Sequence, residues 1–86
     1  MFGSHTRPSY DVIAKTPDSE FWDIIIWTHT LDPAERGFNY AMKHQPPGTA
    51  VVLRRFSRHI DGLSKYLRRG IAGKPETIEN DPGTIS

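Results

Sequence analysis

Thr49-Ala-Val-Val-Leu-Arg-Arg-Phe-Ser-Arg-His-Ile-Asp-Gly-Leu-Ser-Lys-Tyr-Leu-Arg-Arg-Gly70 is the longest patterned stretch of the 86-residue chain, and its reading sets the fold class. Val52, Phe56, Ile60, Leu63 and Leu67 recur at steps of 4, 4, 3 and 4. On a helical wheel they fall within about 80° of arc. The spacing predicts a long amphipathic helix over about 49–70, with Thr49 as its N-cap and Gly70 as its stop. Arg54, Arg58, Lys65, Arg68 and Arg69 then fall on the opposite side, with Arg55 at its edge. These six bases face Asp61 alone, a net of +5, whereas the whole chain is only +1 and residues 1–31 and 71–86 are each −2. A basic helix face of this kind offers phosphates or an acidic protein a docking site, because arginine forks suit either. Its plain alternative is a solvated face, with Arg68 and Arg69 complementing the helix dipole.

Working towards the N-terminus, Pro46-Pro47-Gly48 ends a shorter helix predicted over about 33–44. Asp32-Pro33-Ala34-Glu35 carries its start signals, with Asp32 as N-cap, Pro33 first in the helix and Glu35 at the capping-box position. Ala34, Phe38, Ala41 and Met42 form its apolar side. Phe21–Leu31 is rich in β-branched and aromatic residues, which fit a pleated sheet better than a helix. Residues 9–16 alternate Tyr10, Val12 and Ala14 against Asp11, Ile13 and Lys15, a strand pattern. Between them, Thr16-Pro17-Asp18-Ser19-Glu20 suits either a hairpin turn or a helix start. The expected fold is α+β: a β-hairpin or paired strands packed against two helices, the C-terminal one long and amphipathic. If Phe21–Leu31 is helical, the alternative is an all-α three-helix arrangement. The expected organisation is an irregular N-terminus over 1–8, one compact domain over 9–71, and a mobile acidic tail over 72–86.

Composition narrows the function classes. The chain has no Cys, which excludes disulfides, thiolate nucleophiles and Cys-ligated metals. Its longest apolar runs, Ile24–Trp27 and Ala50–Leu53, are four residues each, against about 20 for a membrane span. No membrane association is expected, and the expected compartment is the cytoplasm. His5, His29, His44 and His59 lie on four segments without helical metal-site spacing, so no metal or other cofactor is expected. There is no glycine-rich phosphate loop and no Gly-x-Ser-x-Gly elbow, and the expectation is a non-enzyme.

Trp22 and Trp27 are the second candidate surface, since Trp is favoured at interface hot spots. So small a chain is expected to bury at least one of the two rings. On a regular strand their spacing of five puts them on opposite faces. The order strand, short helix, Gly-containing turn and longer helix over about residues 24–67 resembles that of ribbon-helix-helix DNA-binding proteins. Trp27-Thr28-His29-Thr30-Leu31-Asp32-Pro33 and Pro47-Gly48-Thr49 carry the resemblance. It implies a strand paired across a dimer, Thr28 and Thr30 reading the major groove, and the Thr49 cap holding phosphate. The chain departs from that pattern in the acids before the strand, the length of the last helix and the additional strand at 9–16.

The expected function is a small non-catalytic protein-binding module, such as an adaptor, inhibitor or accessory subunit. It acts through the aromatic surface and the basic helix face, at Trp22, Trp27, Arg54, Arg55, Arg58, Lys65, Arg68 and Arg69. The expected partners are a protein and a second copy of the chain in a homodimer. A nucleic-acid-binding regulator using the basic helix is the alternative.

Overall fold

Tyr10, Val12 and Ala14 alternate with Asp11 and Ile13, and the segment that carries them is a strand with hydrogen-bonded neighbours on both sides. The structure is a computed structural model that describes residues 9–56 and 64–81. Its elements are β1 (Ser9–Lys15), β2 (Asp23–Thr28), α1 (Leu31–His44), β3 (Ala50–Phe56), β4 (Ser64–Ile71) and β5 (Lys74–Asn80). The strands form one antiparallel sheet in the order β2-β1-β3-β4-β5.

The first turn takes the hairpin option. Ser19 N–H donates to the Thr16 carbonyl at 3.1 Å, and Thr16 Oγ1 donates to Asp18 Oδ1 at 2.9 Å. Both β2 and β3 run antiparallel to β1, so they run parallel to each other and need a crossover. The helix α1 supplies it, with 14 residues spanning about 21 Å, close to the length of the strands it lies across. The helix begins at Leu31 after Thr30, with no side-chain cap, and Asp32 pairs with Arg36 at 2.7 Å instead of capping. Gly37 lets the helix approach β2, since a Cβ there would meet Ile26 Cγ2 at 2.7 Å.

One face of the sheet packs on α1. Tyr10, Val12, Ile26, Val51, Leu53 and Leu67 from the strands meet Ala34, Phe38, Ala41 and Met42 from the helix, with Ala72 closing one end. Phe38 is wholly buried at the centre.

The expected second helix over 49–70 is absent. Its place is taken by β3, β4 and the intervening residues 57–63, which lie outside the described residues. The expected fold of two helices on a hairpin, and its all-α alternative, are therefore replaced by a mostly β architecture with one helix among the described residues. The physical reason is that a step of four is both one helical turn and two strand repeats. Val52 and Phe56 satisfy both periods, and as strand residues they share a face. Thr49 does not cap a helix: it is buried, and its hydroxyl donates to the Pro46 carbonyl at 2.6 Å. The ribbon-helix-helix expectation loses its second helix, and its strand is one of five in a sheet. Lys74–Asn80, within the stretch expected to be a tail, pair with β4 as an edge strand. Ala72-Gly73 joins the two strands, with Gly73 at φ +83, a conformation that favours glycine.

Replacing Phe38 by Ala is expected to cost about 3–5 kcal/mol, read as a large fall in the denaturation midpoint. An unchanged midpoint would place the core elsewhere.

Candidate functional site

The sheet face away from α1 is organised in cross-strand rows, because directly opposed residues share a face. The first row runs Trp27, Asp11, Arg54, Tyr66 from β2 to β4. The second runs Ile24, Ile13, Val52, Arg69, Glu79 from β2 to β5. The third is Lys15, Ala50, Ile71.

In the first row Asp11 is only 1% exposed. Arg54 meets it with both arms of its fork: Nε donates to Oδ1 at 3.0 Å and Nη2 to Oδ2 at 2.7 Å. This bidentate geometry is the strong form of the pair. The same guanidinium lies 4.5 Å from the centre of the Phe56 ring. In the second row Arg69 donates to Glu79 at 3.0 Å and lies 4.7 Å from the centre of the Tyr66 ring. The Glu79 hydrogen bond, followed by the charge interactions with Tyr66 and Glu79, raises the Arg69 pKa from its ordinary value.

Between the second and third rows lies an open groove of about 420 Å³, lined by Trp22, Ala50, Val52, Ile71, Thr77 and the Arg69–Glu79 pair. Trp22 precedes β2 and is 46% exposed, and Trp27 is 52% exposed. The expectation that at least one indole packs in the core is therefore overturned. Their expected placement on opposite faces fails too. A bulge between β1 and β2 shifts the register between Val12 and Ile13, and Trp22 lies outside the strand. Trp27 then faces away from α1, with the ring of His29 edge-on at 4.7 Å.

The chain matches no family model, no curated protein and no solved structure. The binding chemistry therefore rests on side-chain geometry alone.

The sequence-predicted bases do not share one face. Arg54 and Arg69 lie on the open face. Arg55, Lys65 and Arg68 align with residues of the helix side, and Arg58 lies outside the described residues. Arg68 bridges three elements, with Nε donating to Asn80 at 2.9 Å and Nη2 3.8 Å from Glu35 of α1. Lys65 Nζ lies 3.5 Å from Asp81. The expected basic amphipathic helix is thus corrected: four of these bases are ties between neighbouring segments of the fold. Sequence reasoning missed Asp11, Ile24, Glu79 and the groove residues Ala50, Ile71 and Thr77. Asp11 carried a usable signal, as an acid in the middle of an otherwise apolar alternating strand. The others depend on strand pairing that spacing along the chain does not reveal.

Among the described residues no helix is long and apolar enough to cross a membrane.

Replacing Arg54 by Ala leaves the Asp11 carboxylate buried without its partner and is expected to cost about 3–5 kcal/mol. Arg69→Ala, at an exposed pair, is expected to move the denaturation midpoint far less. Equal effects in the two unfolding curves would contradict this division of roles.

Proposed function

We propose that the protein is a small non-catalytic protein-binding module, and that its partner seats on the open sheet face with the Trp22 groove as anchor. The observation that carries this is the combination found on that face: exposed apolar side chains beside cations already matched by acids. A large aromatic bordering a groove suits an apolar side chain of a protein partner, and such anchors supply much of the energy of protein interfaces. The Arg69–Glu79 pair gives the groove a polar rim without net charge.

A nucleic acid needs guanidinium groups free to meet phosphate and ring faces open to bases. Here Arg54 and Arg69 are engaged by Asp11 and Glu79. The same two guanidinium groups lie over Phe56 and Tyr66. These occupancies favour the protein partner over the nucleic acid.

The test is site-specific photo-crosslinking in an extract of cells that make the protein, with the reactive group at position 22 or, as control, at position 43 on the exposed side of α1. The expected result is one protein adduct at position 22, competed by excess unlabelled protein but not by Trp22→Ala. Equal adducts at both positions, or salt-sensitive retention of a mixed nucleic-acid pool in place of a protein, would overturn the proposal.

A further inference from the structure

The sheet has two edges, and they differ in how they meet solvent. The β5 edge carries Lys74, Pro75, Glu76 and Glu79, the charges and proline that discourage another strand from pairing. The β2 edge is Asp23-Ile-Ile-Ile-Trp-Thr28, with one charge at its start and neither Lys nor Pro. Among the described residues β2 has a strand neighbour on one side only, β1. Beside it stand Phe21 at 76% exposure, Ile24 at 65% and Tyr40 of α1 at 61%, with Ile25, Trp27 and Leu31 also exposed.

We propose that a second copy of this chain docks along β2, antiparallel and about a two-fold axis, joining two sheets edge to edge. Three observations select this occupant. The first is area. The six side chains just named expose roughly 650 Å² of largely apolar surface, most of the roughly 800 Å² that each partner contributes to a standard interface.

The second is self-complementarity. The bulge beside Ile25 brings Ile24 and Trp27 to the same face of the sheet. An antiparallel two-fold centred between Ile25 and Ile26 then sets each Ile24 opposite Trp27 of the second copy. On the helix side it brings together two open grooves of about 590 Å³, each lined by Ile25, Ile26, Pro33, Gly37 and Tyr40 with Arg36. A two-fold contact requires one surface to match itself in this way.

The third is charge. Asp23, the acid at the start of β2, falls opposite Thr28 of the other copy, so the two Asp23 carboxylates lie at opposite ends of such a pair. Arg36 is already matched by Asp32 at 2.7 Å, so the helix-side rim presents no excess charge to repel a copy of itself. The β2 edge differs from the Trp22 groove, whose lining neither Ile24→Lys nor Glu76→Lys changes.

The experiment is sedimentation equilibrium across micromolar to high micromolar concentration, on the full chain and on Ile24→Lys and Glu76→Lys. The expected result is a dimer mass that falls towards monomer on dilution. Ile24→Lys is expected to weaken association by at least about tenfold, and Glu76→Lys on the opposite edge to leave it unchanged. A Trp22→Phe chain keeps Trp27 as its only indole. Its emission is expected to shift to shorter wavelength as dimer forms, a readout that stands even if Ile24→Lys fails to fold. A monomer mass at every concentration would overturn the proposal. So would a dimer insensitive to Ile24→Lys, or a Trp27 emission already shielded in the monomer, which would show the chain's own residues covering the edge.

Discussion

A carboxylate sits almost fully buried in the middle of β1, and the sheet is arranged so that a guanidinium can meet both of its oxygens. Asp11 and Arg54 stand directly opposite each other on neighbouring strands. A slip of one residue would turn Asp11 into the helix-side core beside Phe38 and turn Val12 out of it. An unpaired charge in that core is far more costly than a misplaced apolar side chain. The pair therefore does more than add stability: it selects the register that sets Val12 against Leu53 and places β3 beside β1. With β3 fixed, Arg54 faces Tyr66 and Val52 faces Arg69, and β4 and β5 follow across the sheet.

This explains why the first half of the fold was legible and the second was not. Residues 9–15 alternate cleanly, Phe21–Leu31 is dominated by β-branched and aromatic side chains, and Asp32-Pro33 marks the region where the helix begins. Each is a local signal, and β1, β2 and α1 form close to where those signals lie. The segment after Thr49 carries a pattern that two periods share. Steps of four from Val52 to Phe56 suit a helix wheel and a strand face equally. The arginines sharpened the error, because a helix wheel gathers them on one side. Their strand role is visible only once their acid partners are placed, and Asp11 is 43 residues away from Arg54 in sequence.

The candidate site followed the same division. Trp22 and Trp27 stand out by residue type alone, and both are exposed on the open side of the sheet. The bases stand out by number, yet number says nothing of what they face. Placed on strands, Arg54, Arg68 and Arg69 tie segments of the fold together, and the charge that looked available to a phosphate is largely spoken for. Among the described residues, exposed apolar surface gathers at a groove beside Trp22 and along the β2 edge. Among the described residues the single helix packs on one sheet face, and Trp22 and Trp27 stand exposed on the other.

The measurement that bears most directly on this architecture is backbone NMR of Ala50–Phe56 and Ser64–Ile71. Cα shifts upfield of random-coil values through both segments, with cross-strand contacts joining Val51 to Gly70 and Leu53 to Val12, are the predicted result. A continuous run of downfield, helical Cα shifts from residue 50 to residue 69, without those contacts, would contradict it and return the bases to one face of a single helix.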